Sequence, residues 1–459
     1  MQSSHVSLCA LDDTAAARRG SEALLIFIAV VLVAVAVLRS EPLQSANDRS
    51  RWATVWSLVE RGTYRIDEID EQRRWSTIDK VRVGETSVGP WHFYSSKPPL
   101  LSTLVAGLYA VERHTLGFAL FNDTVIVSRL LLLIVNVIPF WLSLCSLRRC
   151  LHLLDASSRA SLFVLAVAGF GSLLNPYLTT LNNHTSAAAV VMLAIEAAVR
   201  ILKSRGVSDE STSVIAYLAL GFFAALAACF ELPAALLGIA AFCLALWCSP
   251  RRTMTWFVPA AALPLVAFFV TNWVATGGLR PFYAGYGSET YVYVHNGVAS
   301  YWSNPRDLDA NTERWPAYLF HCVLGHHGLI SLMPVLLLSI VGTVAGLLRP
   351  RGNGLRVVII AGVALTVVTL GFYLTRTENY NYGGNSFALR WMLWLSPFWW
   401  LAMVPAIERC QCRWRTLVAT ALLAASIGTV TWSLNRPWKP SWIFERMEAA
   451  GWINYRTPR

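Results

Sequence analysis

The sequence is poor in charge. Charged residues make up 14% of its 459 positions, and Asp and Glu together number only 27. A soluble globular domain carries about 25% charged residues, so the deficit argues against a soluble enzyme. Hydrophobic residues reach 55% and the mean hydropathy is +0.48. The 12% of aromatic residues excludes disordered, collagen-like and coiled-coil chains. A polytopic α-helical membrane protein is the class that remains.

Nucleotide-binding motifs are also lacking. No GxGxxG follows a predicted strand and no GxxxxGK[ST] occurs, so a nucleotide site is not predicted. The net charge is +11, yet no basic stretch is interleaved with aromatics in a soluble domain, and no nucleic-acid partner is expected. The positive balance instead indicates cytoplasmic loops that face anionic lipid in a bilayer.

Long apolar runs account for the hydrophobic excess. A spanning helix needs about 20 mostly apolar residues, and about eleven runs approach that length. They cover residues 23–39, 126–147, 159–179, 185–202, 213–230, 232–248, 256–275, 328–348, 356–374, 391–407 and 415–433. We predict an all-α fold with about eleven transmembrane helices, forming a single integral membrane domain over residues 1–459.

Basic residues fall in alternate gaps between these runs, which predicts an orientation. The groups are Arg18/Arg19, Arg148/Arg149/Arg159, Arg200/Lys203/Arg205, Arg251/Arg252, Arg349/Arg351/Arg356 and Arg409/Arg413/Arg415. One topology places all six in the cytoplasm, with a cytoplasmic N-terminus in an inner or plasma membrane. It requires that the run 98–113 lies at the interface as a helix that does not span.

The same topology defines the outer segments. They are the first outer loop 40–125 with its juxtamembrane helices, the short segment 176–184, the outer loops 276–327 and 375–390, and a short outer tail 434–459. These segments hold most of the non-basic polar residues. We therefore expect the active site on the outer face.

Two stretches of the first outer loop draw attention. Apolar residues at 52, 55, 56, 58 and 59 form one helical face that ends at Gly62. Asp48 near the start of this helix is either its N-cap or a functional carboxylate. Lys97 precedes Pro98-Pro99, which fix an extended lysine and begin an interfacial helix. Its ammonium group then either snorkels to lipid headgroups or binds the phosphate of a lipid-linked substrate.

The order of these residues carries a family resemblance. Asp48-x-x-Arg51-Trp52 is followed by the helix stop at Gly62, and then by Tyr94-x-x-Lys97-Pro-Pro. A spanning helix that opens with Arg129-Leu130 comes next. Over roughly residues 20–200 this order resembles the GT-C glycosyltransferases, in particular the protein O-mannosyltransferase and lipid A aminoarabinose transferase group.

The resemblance implies a reaction. The donor is a sugar on a polyprenyl phosphate at the outer leaflet, and Asp48 is the general base toward a lipid, glycan or protein acceptor. Lys97 and neighbouring Arg side chains, among them Arg51, hold the departing phosphate, which needs cationic help from side chains or from a divalent metal. The family's second acidic residue is replaced here by Arg49, which weakens a metal site. We predict no cofactor and leave a divalent metal open.

Further substrate contacts are predicted beside these. Tyr94 and Arg129 belong to the resembling region, and His326, His327, Tyr382 and Arg390 lie in the later outer loops. The alternatives are capping of a helix end for the histidines and a structural anchor for Arg129 and Arg390. Aromatics in 283–302 form either an interfacial belt or a sugar-stacking surface.

The sequence thus favours a membrane glycosyltransferase. Two other classes stay open. A solute or lipid transporter would need a polar path, which scarce charge inside the runs disfavours. An accessory component of a cell-envelope complex is kept open by Arg49, which departs from the family pattern.

Overall fold

The computed structural model describes residues 2–84, 89–204, 210–310, 313–350, 353–376 and 381–456, with the backbone alone for 2–15 and 210–213. It is mostly helical, at 71%. The helices of the first half are α1 Gln2–Arg39, α2 Ala46–Arg61, α3 Asp67–Asp70, α4 Pro99–Leu116, α5 Thr124–Leu132, α6 Ile138–Leu153, α7 Ser158–Ala166, α8 Asn183–Lys203, α9 Glu210–Phe230 and α10 Ala235–Cys248.

The second half continues in the same way. Its helices are α11 Pro250–Arg252, α12 Val258–Thr276, α13 Trp315–Val323, α14 Leu329–Leu332, α15 Leu336–Leu347, α16 Gly354–Leu374, α17 Ser396–Ala402, α18 Val404–Glu408, α19 Arg413–Ser433 and α20 Trp442–Ala449. Single π-helical turns at 133–137 and 253–257 join α5 to α6 and α11 to α12 without a break.

Six helices in the described ranges are long and apolar enough to cross a membrane. They are Ala16–Arg39, Thr124–Leu153, Asn183–Lys203, Pro250–Thr276, Gly354–Leu374 and Arg413–Ser433. Four shorter apolar helices, Ser158–Gly171, Val214–Phe230, Leu232–Cys248 and Leu336–Leu347, match further predicted runs. The predicted count of about eleven spans is not confirmed.

The predicted run 391–407 is not one helix. It consists of a 3₁₀ segment, Arg390–Leu395, followed by α17 and α18. Pro397 and Pro405 stand at the starts of the two helices, because proline lacks the N–H that a helix interior needs. Nearly all side chains of the segment are buried, so its apolar character serves the protein core.

Two small hairpins were not predicted. Strand β1, Lys80–Gly84, pairs antiparallel with β2, Trp91–Ser95, and β3, Val294–His295, pairs with β4, Val298–Ala299. The Arg82 amide donates to the Thr290 carbonyl at 2.9 Å, which joins the first predicted outer loop to the loop 276–327. Short strands inside a long polar loop leave little periodicity to read.

Helix α2 begins and ends where the loop sequence indicates. Gly62 follows its last residue with φ of 65°, a left-handed conformation that favours glycine. The N-cap alternative for Asp48 is wrong, because Ser45 is the N-cap and its Oγ accepts from the Asp48 amide at 3.0 Å. Helix α4 packs along α2 and is absent from the six candidate spans, and its interfacial position stays a prediction.

The bundle has two chemically different ends. At one end α1 gives way to α2, and Arg129 Nε donates to the Ser40 carbonyl at 3.0 Å. At the other end Glu22 contacts Arg148 and His152 from the far end of α6. Among the residues predicted to be cytoplasmic, Arg18 pairs with Glu22 at this second end, and Arg149 and Arg200 pair with Glu196 there. Arg205 and Arg351 lie outside the described residues. We call the first the cavity end and the second the basic end.

Close packing at glycines generates a stability test. A Cβ on Gly342 in α15 would lie 1.9 Å from the Ala402 carbonyl oxygen, whereas one on Gly371 in α16 meets nothing within 4 Å. We expect Gly342→Ala to lower the unfolding free energy by about 1–3 kcal/mol through overpacking. Gly371→Ala, the matched control, should be neutral or raise it by about 0.5–1 kcal/mol. Thermal unfolding in detergent measures both, and equal melting temperatures would contradict the packing.

Candidate active site at the cavity end

A cavity of about 1000 Å³ lies where the predicted outer segments meet. Its walls come from the loop before α2, the start of α4, the α8 start, the α9–α10 junction, loop 276–327, the end of α16 and the stretch around Arg390. Its charged lining residues in the described ranges are Arg51, Lys97, Arg376, Arg390, Asp79, Glu231 and Asp309. Segments distant in sequence therefore share one site.

The cavity has an apolar side formed by helix ends. Phe230, Leu232 and Leu236 come from the α9–α10 junction, and Val368 and Phe372 from the last turns of α16. Leu232 and Phe372 are 45% and 42% exposed. An amphiphile could thus place an apolar chain against the helix ends and a polar group among the loops.

Four cations line the cavity. Arg376, which follows α16, contacts the Phe372 ring, and the other three, Arg51, Lys97 and Arg390, lie on the polar side. Arg51 is buried, and its guanidinium donates to Asn47 and to Asn183 Oδ1. Lys97 Nζ lies 3.1 Å from Asp79 Oδ1. Arg390 donates to the Gly383 carbonyl at 2.8 Å. In the described part of the chain, neither Arg51 nor Arg390 forms an ion pair with a carboxylate.

The three cations act on one another. Burial, followed by the Arg390 charge, lowers the pKa of Arg51 to about 10, which leaves it protonated at neutral pH. Burial also lowers the pKa of Lys97; Asp79 opposes this, while Arg51 and Arg390 add to it. An anion placed between them would relieve this mutual repulsion.

A hydrogen-bonded chain links the two arginines. Glu231 Oε1 accepts from the Asn183 amide at 2.7 Å and contacts His184 Nδ1. On one side Asn183 Oδ1 accepts from Arg51, and on the other Arg390 Nη1 lies 3.1 Å from His184 Nε2. The Glu231 contact sets the His184 tautomer with the proton on Nδ1, so Nε2 accepts from Arg390. One buried carboxylate thereby orients both arginines.

Two further carboxylates face the cavity from other segments. Asp79 is held by Lys97, whereas Asp309 accepts from the Tyr301 hydroxyl at 2.8 Å and from the Asn381 amide. Burial raises the pKa of Asp309, an effect that these hydrogen bonds partly oppose. Beside them stands an aromatic wall, defined here as Tyr283, Tyr286, Tyr291 and Trp302.

Asp48 lies directly behind the cavity wall. Its neighbours Asn47 and Arg51 line the cavity, but Asp48 does not and is 1% exposed. Oδ2 accepts from the Gln44 amide at 3.0 Å and Oδ1 from the Leu181 amide at 3.1 Å. Burial raises its pKa to about 6 despite these bonds. In this arrangement Asp48 ties the loop before α2 to the segment before α8.

The other predicted contacts lie outside the cavity lining. Tyr94 packs in β2 against Val81 and Tyr291, and Arg129 holds the Ser40 carbonyl. His326 bonds the Tyr455 hydroxyl at 2.7 Å. His327 stacks on Tyr382, whose hydroxyl donates to Glu313. These last residues form a buried cluster behind Gly383 and Gly384, and their predicted substrate contacts stay predictions.

Several cavity residues were missed from sequence. Asn183, His184 and Glu231 follow or precede predicted spans, at ordinary positions for polar residues at helix ends. Nothing in the sequence pairs residue 184 with residue 231. Of these three residues, Glu231 could have been recognised from sequence, because it is a carboxylate immediately before Leu232-Pro233 at the predicted outer boundary of the membrane.

Metal ligands do not cluster in the described part of the chain. There, no group of three or more His, Cys, Asp or Glu residues could hold a metal ion. The lining residues Arg51, Lys97, Arg376 and Arg390 bring positive charge to the cavity.

Comparisons with known proteins give limited similarity. No family model and no curated protein matches the chain. Similar solved structures include the apo oligosaccharyltransferase of Archaeoglobus fulgidus, at 11% identity and a TM-score of 0.48, covering 95% of this chain and 58% of that one. Another is AglB from the same organism in complex with an inhibitory peptide and a dolichol-phosphate, at 11% identity, the same coverage and a TM-score of 0.39. This chain spans 58% of their length. Both TM-scores lie below 0.5, which is too low to establish a shared fold.

The raised pKa of Asp48 predicts a pH dependence of stability. Burial raises its folded pKa from the ordinary 3.8 to about 6, so its stabilising contribution is fully present below pH 3.8 and is lost as the pH rises through 6. The loss amounts to about 3 kcal/mol. Between pH 4.5 and pH 7, the melting temperature of the wild type should fall by more than that of Asp48→Asn. Asp155→Asn, at an exposed position, serves as the control and should behave as wild type. An identical pH dependence in Asp48→Asn would contradict the assigned burial.

Proposed function

We propose that this chain is a membrane glycosyltransferase that moves a sugar from a polyprenyl-phosphate donor to a lipid, glycan or protein acceptor. One observation carries the proposal: Arg51, Lys97 and Arg390 surround a cavity whose other side consists of apolar helix ends. In a polyprenyl phosphate, the phosphate would lie among the cations and the apolar chain against the helix ends. Arginine is well suited to the phosphate, since its planar fork gives two parallel hydrogen bonds to one anion.

We infer the following reaction from the family resemblance and the residues that line the cavity. An acceptor oxygen or nitrogen attacks the anomeric carbon, the bond from that carbon to the phosphate oxygen breaks, and its electron pair stays on the phosphate. The three cations stabilise the charge that develops there. The acceptor loses a proton to a carboxylate. The aromatic wall gives the sugar ring flat apolar faces to pack on.

The carboxylate predicted as general base is Asp48. Its raised pKa suits a base at neutral pH, but a base must reach the acceptor proton within hydrogen-bond distance. To do so Asp48 would have to exchange at least one of its two backbone amide bonds for the acceptor. Asp309 is the competing assignment, since it already lines the cavity and its pKa is also raised.

The phosphate assignment is tested by donor binding. Removing one charge-assisted hydrogen bond costs about 1.5–3 kcal/mol, which is roughly a 10- to 150-fold loss of affinity. Arg51→Gln and Arg390→Gln should each weaken binding of a polyprenyl monophosphate in detergent by this factor. Arg113→Gln, from the same predicted outer loop but paired with Glu60 outside the cavity lining, is the control. Unchanged affinity in both cavity variants would refute the assignment.

The base is identified by comparing two substitutions. Sugar transfer from a polyprenyl-phosphate sugar is measured for Asp48→Asn and Asp309→Asn, together with donor binding and melting temperature. With Asp48 as base, transfer falls about 10²- to 10⁴-fold in Asp48→Asn while donor binding persists, and Asp309→Asn retains most activity. The reverse pattern assigns the proton transfer to Asp309 and leaves Asp48 a positioning residue.

A further inference from the structure

A second cavity, of about 540 Å³, lies at the basic end of the bundle. Cys145, Arg148, Arg149, His152 and Leu153 of α6 line it together with Arg200 of α8. It is separated from the first cavity by the length of these helices, since α8 begins at Asn183 beside Glu231. The reaction proposed above makes no use of it.

Guanidinium groups outnumber carboxylates around this cavity. Glu196 accepts from Arg149 through both of its oxygens at 2.8 Å, and from Arg200 at 2.7 Å. Glu22 is shared by the remaining two guanidinium groups and a histidine: Arg18, Arg148 and His152. Four arginines therefore share two carboxylates, and two positive charges remain.

The excess charge faces outward. The Glu22 and Glu196 side chains are 0% and 8% exposed, whereas Arg148 and Arg149 are 29% and 46% exposed. Arg148 has a single described contact, from Nε to Glu22 at 3.3 Å. Its two terminal nitrogens therefore keep donors for an anion in the cavity.

An exposed apolar stripe runs from this cavity along α6. Ile138, Trp141 and Leu142 are 47%, 46% and 39% exposed, and Cys145 and Arg148 continue the same face at helical spacing. From residue 138 to residue 148 the helix rises about 15 Å. That is half of a hydrocarbon core about 30 Å thick, or the depth of one leaflet.

We propose that this surface binds one anionic phospholipid, with its phosphate in the arginine cavity and an acyl chain along the stripe on α6. Along α6 the apolar stripe comes first and the arginine cavity follows, in the same order as the acyl chain and the phosphate of a phospholipid in the bilayer. Charge complementarity selects anionic over zwitterionic headgroups. The site is independent of the glycosyltransferase proposal and stands if that proposal fails.

Native mass spectrometry of the purified full chain in a neutral detergent tests the site. Phosphatidylglycerol and phosphatidylcholine with identical acyl chains are the probes. We expect phosphatidylglycerol adducts to exceed phosphatidylcholine adducts at least threefold, and Arg148→Gln to remove this preference. This substitution leaves Glu22 paired with Arg18 and His152, so the fold is retained. Arg251→Gln, an exposed arginine outside the cavity, is the matched control and should keep the preference.

A second variant addresses the acyl chain. Trp141→Ala should reduce retention of both lipids in gas-phase dissociation while leaving the headgroup preference intact. Equal binding of the two lipids by wild type, or an unchanged preference in Arg148→Gln, would overturn the proposal. Displacement of phosphatidylglycerol by millimolar inorganic phosphate would also overturn it, because the ligand would then be a free anion. Loss of the adducts upon dimer formation would assign the stripe to a second copy of the chain.

Discussion

Buried positive charge at the edge of the helix bundle is the constraint on which the cavity end depends. Arg51 and Arg390 have no carboxylate partner in the described residues, and burying such groups is costly unless they are hydrogen-bonded. Asn183, Glu231 and His184 meet that need by joining both arginines in one chain of hydrogen bonds. Arg390 also donates to the Gly383 carbonyl and lies over the Trp438 ring, so segments distant in sequence meet at these two side chains.

The two ends of the bundle arrange their charges differently. At the basic end, the buried carboxylates of Glu22 and Glu196 pair with four arginines, which leaves two positive charges, and the same contacts hold α1, α6 and α8 together. At the cavity end, four cations and three carboxylates line an open volume, and Arg51 and Arg390 have no carboxylate partner in the described residues. Positive side chains therefore outnumber carboxylates at both ends.

Helix positions were largely predictable because an apolar run of sufficient length favours a membrane helix, although run 391–407 is broken into a 3₁₀ segment and two short helices. The start of α4 at the prolines and the end of α2 at Gly62 follow from local rules that need no tertiary context. Lys97, Arg51 and Arg390 were predicted as substrate contacts, and all three line the cavity, while the contact itself stays a prediction. His184 and Glu231 were missed, since their meeting depends on how α8 packs against the α9–α10 junction. The hairpin β1–β2 was missed for a similar reason, because its partner strands are short and irregular in sequence.

The central claim is that the cavity accepts a sugar on a polyprenyl phosphate. The most direct test is turnover of purified protein in liposomes with a panel of radiolabelled polyprenyl-phosphate sugars and a membrane lipid extract as acceptor. The account predicts that radiolabelled sugar leaves one polyprenyl-phosphate carrier of the panel and appears in an acceptor or as free sugar. The double variant that combines Arg51→Gln with Arg390→Gln should abolish this release. Release of label at equal rates by wild type and the double variant, or its absence across every donor and acceptor, would contradict the account.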